Sequence, residues 1–271
     1  MKYDLLIIGC GKIGECLIQG LLRKKNFLFK KIKRINVLEK NKKRCKFLKK
    51  KYSNKITFID NNEIRVSKKN FHFIFLSIKP KDLNKNIRNY KNFFNTETIM
   101  YSLLAGKKLS DINSFFPNIK NIFRVMLNTP ICLNEGTIIY KNLRNKFSKT
   151  DLFLLNLLGD TYYIKDEKFF NILTAVIGSG PAFFYFLVEA LEKKTISSGL
   201  QKNLVEKLIK KTFKGTSELL NYSFDNAESL RKKVTSKGGT TEAAIRSLEK
   251  NNFKRLISNS INQAIKISKK L

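Results

Sequence analysis

The stretch DLLIIGCGKIGE, residues 4–15, decides the fold class of this chain. After Asp4 it begins with an uninterrupted apolar run, Leu5–Ile8, which is typical of a strand buried on both faces of a parallel sheet. Its second half carries glycines with the spacing GxGxxG, at Gly9, Gly11 and Gly14. Because this spacing directly follows a strand and opens an amphipathic helix, it predicts a dinucleotide-binding loop.

Each glycine of this loop has its own physical reason. Gly9 permits the tight turn after the strand, Gly11 lets the backbone approach a pyrophosphate, and Gly14 lets the helix pack closely on the strand. We therefore assign the whole loop to cofactor binding: Gly9, Cys10, Gly11, Lys12, Ile13 and Gly14.

The pattern of apolar residues changes near residue 165. Before it, short apolar runs alternate with helical stretches, which predicts a doubly wound, parallel α/β sheet of the Rossmann type over residues 1–165. After it, helical periodicity continues without a further strand, which predicts an all-helical domain over residues 166–271. The predicted strands are Asp4–Ile8, Ile35–Leu38, Ile56–Ile59, His72–Ser77, Thr98–Ser102, Asn121–Met126 and Thr137–Tyr140. The predicted helices are Ile13–Lys24, Lys42–Lys51, Pro181–Lys194, Lys202–Tyr222, Asp225–Lys233, Thr240–Lys250 and Phe253–Lys270.

The composition is strongly basic, with a formal net charge of +33 over 271 residues. Such a charge suggests a nucleic-acid or anionic-membrane partner. Most of the basic residues are lysines, however, and they are spread along the chain without any nucleic-acid motif. Lysine, asparagine, isoleucine and phenylalanine all have A/T-rich codons, so a codon bias explains the charge. We expect no nucleic-acid partner, and a basic nucleic-acid-binding protein is the alternative from a different class.

Cysteine and histidine content argues against a metal site and an oxidising compartment. The chain has four cysteines, no CxxC spacing and one histidine, so Cys and His alone cannot assemble a zinc set. We expect no metal, reduced thiols and a cytoplasmic location. The charge-free run Ile172–Val188 is interrupted by Gly178–Pro181, so we interpret it as the start of a buried helix and expect no membrane partner.

The residues after the second predicted strand leave the coenzyme open. Glu39 ends that strand, and a carboxylate there usually binds the adenosine ribose hydroxyls, which favours NAD. Lys40, Lys42, Lys43 and Arg44 follow it and could bind a 2′-phosphate instead, which favours NADP. We expect NADPH, with NADH as the alternative.

A second glycine-containing segment, VTSKGGTTEAAI at residues 234–245, runs into a predicted helix. Backbone N–H groups at a helix N-terminus suit an anion, so this segment predicts an anion-binding loop. The alternative is that Thr240 or Thr241 is only the N-cap of that helix, with Glu242 in its first turn.

Five segments together resemble, in order and spacing, the motifs of pyrroline-5-carboxylate reductases, the last enzymes of proline biosynthesis. The resemblance extends from residue 3 to about residue 265. The segments are Phe75–Pro80 (FLSIKP), Ser102–Gly106 (SLLAG), Arg124–Pro130 (RVMLNTP), Thr174–Ala182 (TAVIGSGPA) and Val234–Glu249.

This resemblance implies transfer of a hydride from NAD(P)H to the C=N carbon of 1-pyrroline-5-carboxylate, which gives L-proline. It also implies a Rossmann domain followed by a helical domain that forms a homodimer with interleaved helices, and higher oligomers are common in the family. The nearest rival is a hydroxy-acid dehydrogenase with a catalytic lysine in its second domain. The GSGPA and GGTT segments argue against that rival.

The resemblance also implies roles for particular residues. Thr241 would place its hydroxyl nearest the ring nitrogen of the substrate, as the catalytic group. The substrate carboxylate would bind beside Ser236, Gly238, Gly239 and Thr240, and Ser179 would begin a helix lining the substrate site. The coenzyme would contact Ser77, Ile78, Lys79, Pro80, Ala105, Asn128, Glu167 and, on the adenosine side, Asn62.

Three residues depart from the family pattern. Leu127 and Lys237 stand where the family has prolines, so both segments lose the rigidity that proline imposes. Glu39 replaces a small residue that is usual in members preferring NADP. These departures concern turnover and coenzyme choice more than family identity.

Overall fold

The fold is described from a computed structural model, which covers residues 2–59, 71–83, 90 and 93–270. In the described residues, eight strands form one sheet with the order β3-β2-β1-β4-β5-β6-β7-β8. The strands are β1 (Tyr3–Ile8), β2 (Ile32–Leu38), β3 (Thr57–Phe58), β4 (Phe73–Leu76), β5 (Ile99–Ser102), β6 (Asn121–Leu127), β7 (Gly136–Asn142) and β8 (Gly159–Tyr163).

The strand order reverses direction at β1, which lies between β2 and β4. Strands β1 to β6 pair in parallel, so their carboxyl ends lie along one edge of the sheet. In doubly wound sheets, ligands bind outside the carboxyl ends of the strands at this reversal. The topology therefore directs attention to the loops that follow β1 and β4.

The expectation of parallel strands throughout was wrong at one edge of the sheet. β7 pairs antiparallel with β6, with Met126 opposite Ile139. Only a short connection with a 3-10 turn at Thr129–Leu133 joins the two strands, and a parallel crossover needs a dozen or more residues. β8, which pairs in parallel with β7, was not predicted, because its GDTYY sequence is mostly exposed and has no apolar run.

Helices cover both faces of the sheet. In β1, Leu5 and Ile7 belong to one buried cluster, and Leu6 and Ile8 belong to the other. Burial on both faces explains why β1 is apolar at its four buried positions, Leu5–Ile8. The helices of this part are α1 (Lys12–Arg23), α2 (Lys25–Lys31), α3 (Lys42–Tyr52), α4 (Leu109–Phe115), α5 (Phe153–Asn156) and α6 (Phe170–Leu173), followed by a π-helical turn at Thr174–Gly178.

The chain packs as two compact units, one formed by Met1–Gly178 with Ile265–Leu271 and the other by Ser179–Ala264. Where described, the second unit is helical, as predicted, and α7 packs on α8 with the rings of Phe184 and Phe213 5.9 Å apart. The helices after the π-helical turn are α7 (Gly180–Ser197), α8 (Lys202–Tyr222), α9 (Ala227–Lys233), α10 (Thr240–Lys250) and α11 (Phe253–Ser268), the last of which ends in the first unit.

The interpretation of Ile172–Val188 as the start of a buried helix was wrong. Only 11% of the most apolar window of Glu167–Ser197 is buried, and Phe186 in α7 is 73% exposed. By length and composition alone, this is the one segment among the described residues that could cross a membrane. A single chain therefore leaves a large apolar helix face uncovered.

Candidate active site and coenzyme loop

The glycine-rich loop after β1 has no room for side chains at its first and last glycines. Gly9 has a φ of +83°, and a Cβ there would lie 2.7 Å from the carbonyl oxygen of Ser77 and 2.8 Å from Cγ2 of Ile78. A Cβ on Gly14 would lie 2.6 Å from the carbonyl oxygen of Gly9. These distances are too short for a real Cβ at either position, so the tight turn at Gly9 and the close helix packing at Gly14 require glycine.

Gly11 has a different environment from the other two glycines. It is the N-cap residue of α1 with a φ of −68°, and an added Cβ would meet no atom within 4 Å. Neither its backbone conformation nor the packing of the protein requires glycine there. Close approach of a ligand is the remaining physical reason, and the residues of the loop thus fit a dinucleotide pyrophosphate.

The other predicted coenzyme residues follow strands whose carboxyl ends share this edge. Ser77 follows β4, and its N–H donates to the carbonyl oxygen of Ile8 in β1 at 2.8 Å. Ala105 follows β5 and Asn128 follows β6. Asn128 is 9% exposed, and its Oδ1 accepts the N–H of Thr137 at 3.0 Å. Its side-chain carbonyl therefore holds the start of β7.

Glu39 is bonded to backbone groups of the protein. Its Oε2 accepts the N–H of Cys10 at 2.7 Å, and its Oε1 accepts the N–H of Asn41 at 2.8 Å. A carboxylate can accept several hydrogen bonds, so a ribose contact stays compatible with this arrangement. The structure adds a role that sequence reasoning missed, because Glu39 ties the end of β2 to the glycine-rich loop.

The basic residues after Glu39 differ in their contacts. Lys40 pairs with Asp82 at 2.8 Å, and Arg44 lies against the glycine-rich loop with its Nε 2.8 Å from the carbonyl oxygen of Cys10. Lys42 and Lys43 are exposed and begin α3.

Glu167 lies against the nucleotide-binding sheet. Its Oε1 accepts from Nη1 of Arg124 in β6 at 2.8 Å and from the N–H of Leu109 at 3.0 Å. The guanidinium of Arg124 also lies over the ring of Phe170, 4.3 Å from its centroid. The sequence placed Arg124 in the RVMLNTP motif but did not predict its ion pair with Glu167.

The predicted anion loop lies in the helical unit, between α9 and α10. Gly238 has a φ of +73°, and its N–H donates to Oε2 of Glu242 at 2.7 Å. The N–H of Gly239 donates to the carbonyl oxygen of Ser236 at 3.1 Å. The N–H groups of Thr240 and Thr241 belong to the first helical turn, which has no acceptors within its own helix.

The N-cap alternative for these threonines was wrong. The N-cap residue of α10 is Gly239, so Thr240 and Thr241 occupy the first two helical positions instead. Ser179 precedes α7, and its carbonyl oxygen accepts the N–H of Ala182 at 2.9 Å. Asn62, predicted on the adenosine side, lies outside the described residues.

Two further observations concern metal-ligating and nucleophilic side chains. No group of three His, Cys, Asp or Glu side chains that could hold a metal ion occurs within residues 2–59, 71–83 and 93–270. Burial raises the pKa of the Cys10 thiol to about 12, so this cysteine of the loop stays protonated and is a poor nucleophile at neutral pH.

Comparison with known proteins identifies the family. Residues 167–271 match the family model described as pyrroline-5-carboxylate reductase dimerisation, and residues 4–105 match the model described as NADP oxidoreductase, coenzyme F420-dependent. Pyrroline-5-carboxylate reductase 2 of Bacillus subtilis is 31% identical over 96% of this chain and 92% of its own length. The chain belongs to the pyrroline-5-carboxylate reductase family.

Other relatives extend the similarity over the whole chain. The pyrroline-5-carboxylate reductase of Pisum sativum is 29% identical over 100% of this chain and 96% of its own length. The crystal structure of Plasmodium falciparum pyrroline carboxylate reductase with NADP bound has a TM-score of 0.83 and 26% identity, and the match covers 98% of this chain and 97% of that one. The predicted family and fold class, a Rossmann-type domain followed by a helical domain, are confirmed.

Sequence reasoning missed one further feature of this reductase. Glu15, in the first turn of α1, is 7% exposed and accepts hydrogen bonds from Arg44, Lys51 and Tyr52. The available signal was a carboxylate directly after Gly14 on a helix that packs against the sheet. Its partners in α3 could not be identified without the structure.

Proposed function

We propose that this chain reduces 1-pyrroline-5-carboxylate to L-proline with NADPH as the reductant. The observation that carries the proposal is the 31% identity to a pyrroline-5-carboxylate reductase over 96% of the chain. The position of the glycine-rich loop at the reversal of the strand order supports the coenzyme. The NADP-oxidoreductase model matching residues 4–105 and the NADP bound to the Plasmodium falciparum relative support NADPH, with NADH as the alternative.

The reaction needs positioning more than strong acid–base groups. Bound NADPH supplies a hydride for the C=N carbon, and an imine is easily reduced once it is protonated. The protein therefore has to bind and orient the substrate and hydrogen-bond to its nitrogen. The coenzyme residues are the loop Gly9–Gly14 and, around it, Glu39, Asn62, Ser77, Ile78, Lys79, Pro80, Ala105, Asn128 and Glu167.

The substrate carboxylate binds at the loop before α10, beside Ser236 and the backbone of Gly238, Gly239 and Thr240. Support comes from the loop itself, because the N–H of Gly238 already binds a carboxylate, that of Glu242. The hydroxyl of Thr241 hydrogen-bonds the ring nitrogen and is the catalytic group. Ser179 contributes to the same substrate site.

The chain works as a homodimer with interleaved helical domains. The dimerisation model that matches residues 167–271 supports self-association. The exposed apolar face of α7 supports it too, because burial of such a face in a second copy is favourable. On this assignment the dimer covers the segment Glu167–Ser197, and no membrane is involved. Sedimentation of the purified chain should give a dimer or a multiple of it.

The domain assignment, location and partners complete the proposal. Residues 1–165 form the dinucleotide-binding domain and residues 166–271 the helical domain, which the start of the dimerisation model at residue 167 supports. The enzyme is cytoplasmic, as suits a chain with the buried thiols Cys10 and Cys16. It has no nucleic-acid partner.

The deciding experiment is a coenzyme-oxidation assay. The purified chain should oxidise NADPH only when 1-pyrroline-5-carboxylate is present, with L-proline as the product, and NADH is compared under the same conditions. A small hydroxy acid with NADP⁺ tests the rival dehydrogenase. Steeply salt-dependent DNA binding without coenzyme oxidation would favour the nucleic-acid alternative.

A further inference from the structure

The glycine-rich loop is held from the side by a cluster of charged residues. Arg44, in α3, donates from Nε to the carbonyl oxygen of Cys10 at 2.8 Å and from Nη2 to the carbonyl oxygen of Gly11 at 3.1 Å. Glu39, at the end of β2, accepts the N–H of Cys10 at 2.7 Å. Both backbone polar groups of Cys10 are therefore bonded to charged side chains.

Arg44 is itself held in place by Glu15. The carboxylate of Glu15 binds Nη2 of Arg44 through Oε2, and it binds Nζ of Lys51 through Oε1 at 2.7 Å. The side chain of Glu15 is 9% exposed and that of Arg44 is 25% exposed. Hydrogen bonds to charged groups are strong when they are shielded from water, so this arrangement fixes the guanidinium.

These bonds help to set the direction of two N–H groups of the loop, and the carbonyl oxygen of Gly11 also accepts the N–H of Glu15 at 3.0 Å. A peptide unit is planar and trans, so its C=O and N–H point in opposite directions. Because the carbonyl groups of Cys10 and Gly11 point towards Arg44, the N–H groups of Gly11 and Lys12 point away from it. Those two N–H groups lie at the N-terminus of α1, where a pyrophosphate is bound in folds of this type.

We infer that Arg44 is a positioning residue of the coenzyme loop, which aims the N–H groups of Gly11 and Lys12 at the pyrophosphate. This inference rests on the proposed function for its coenzyme. The pyrophosphate is common to NADPH and NADH, so Arg44 supports the binding of both to the same degree. It does not discriminate the 2′-phosphate, although its place after β2 suggests that role from sequence.

The test is direct binding of each coenzyme to the full-length chain by titration calorimetry, without substrate. Arg44→Met should raise the Kd of NADPH and of NADH by the same factor, about tenfold or more, because it removes two charge-assisted hydrogen bonds. Arg44→Lys should fall between Arg44→Met and the natural chain, because an ammonium cannot reproduce the planar fork of the guanidinium. The KM for 1-pyrroline-5-carboxylate should not change.

The matched control is Arg34→Met. Arg34 lies in the first half of β2, away from the Glu39 end, and pairs with Asp4 at 3.4 Å, with 44% of its side chain exposed. This variant should keep the Kd of both coenzymes. If Arg44→Met does not fold, Arg44→Lys supplies the comparison of the two coenzymes.

Two results would overturn the inference. A loss of NADPH affinity with unchanged NADH affinity would show that Arg44 binds the 2′-phosphate directly. A lower melting temperature with unchanged Kd values would show a purely structural role. Because binding is measured without substrate, these failures are distinct from a failure of the natural chain to reduce 1-pyrroline-5-carboxylate.

Discussion

Arg124 and Glu167 form an ion pair in which Nη1 of the arginine lies 2.8 Å from Oε1 of the glutamate. The side chain of Arg124 is 7% exposed, and its other face lies over the ring of Phe170. The same carboxylate oxygen accepts the N–H of Leu109 at the start of α4. Glu167 is the residue at which the match to the dimerisation model begins, and its carboxylate bonds to both β6 and the start of α4.

The first prediction is that breaking the Arg124–Glu167 pair destabilises the first compact unit, which contains both residues. Glu167→Ala should lower the free energy of unfolding by about 3 kcal/mol, because it leaves a buried guanidinium without its counter-charge. The double variant Arg124→Met with Glu167→Ala should lose less than the sum of the two single variants. Urea unfolding at fixed protein concentration measures all three.

Lys168→Met is the control for the ion pair, because Lys168 forms an exposed pair with Asp166. It should leave the urea midpoint almost unchanged. Additive losses for Arg124 and Glu167 would show that the two residues act independently.

The second prediction separates the two kinds of glycine in the loop. Gly11→Ala should weaken NADPH binding without lowering the melting temperature, because its Cβ would meet no protein atom within 4 Å. Gly14→Ala is the matched comparison and should lower the melting temperature, because its Cβ would lie 2.6 Å from the oxygen of Gly9. Unchanged NADPH affinity in Gly11→Ala would contradict the assignment of this loop to the coenzyme.

The third prediction concerns stability at low pH. Burial opposes ionisation of Glu15, but hydrogen bonds from Lys51 and Arg44 outweigh it and hold the pKa of this carboxyl below its ordinary value of 4.5. A group whose pKa is depressed by folding stabilises the protein above its unfolded pKa, and this contribution is lost as the pH falls through the folded pKa.

Glu15→Gln should therefore be less stable than the natural chain at neutral pH, and the difference should shrink as the pH falls below about 4.5. Urea midpoints measured across this pH range give the comparison. A difference that stays constant with pH would mean that the charge of Glu15 is not what stabilises the fold.

The fourth prediction concerns Glu242 as an internal competitor of the substrate. Its carboxylate holds the N–H of Gly238, and this hydrogen bond lowers the pKa of Glu242, which keeps it charged. Glu242→Gln removes a negative charge beside the proposed carboxylate site, so the KM for 1-pyrroline-5-carboxylate should fall several-fold with kcat almost unchanged. Steady-state kinetics measure both constants.

Glu249→Gln on the same helix is the control for Glu242, because Glu249 is exposed and lies towards the other end of α10. Its KM should equal that of the natural chain. A higher KM in Glu242→Gln would mean that this carboxylate shapes the loop rather than competes for it.

The fifth prediction tests the hydroxyl of Thr241. Thr241→Val keeps the shape of the side chain but removes its hydrogen bond to the substrate nitrogen, so kcat should fall by about tenfold or more. The Kd of NADPH should stay the same. Thr212→Val on α8 removes a hydroxyl that donates to the carbonyl oxygen of Leu208 at 2.9 Å within the same helix, and it should keep full turnover. Unchanged turnover in Thr241→Val would remove this residue from the catalytic assignment.

Local patterns in the sequence were sufficient for much of the fold. The helical period predicted Lys202–Tyr222 and Thr240–Lys250 with the bounds that the structure shows. The apolar run before Gly9 predicted β1, because a strand buried on both faces has to be apolar throughout. These features depend on residues that lie close together in the chain, so the sequence alone is enough to predict them.

Features that depend on distant partners were missed. The 25–31 segment was not recognised as helix α2, and β8 was not predicted, because neither has a distinct local period. The antiparallel pairing of β6 with β7 depends on how a short connection folds back, and the exposure of α7 depends on which other helices pack against it.

By itself, the sequence determined the family, the order of the two domains and the glycines of the coenzyme loop, because those are carried by residue types at fixed spacing. Only the tertiary structure decided which charges meet. Arg44 and Glu15 are 29 residues apart, and Arg124 and Glu167 are 43 apart. In a chain with a net charge of +33, many cations are available to each carboxylate, and only the fold brings one pair within hydrogen-bonding distance.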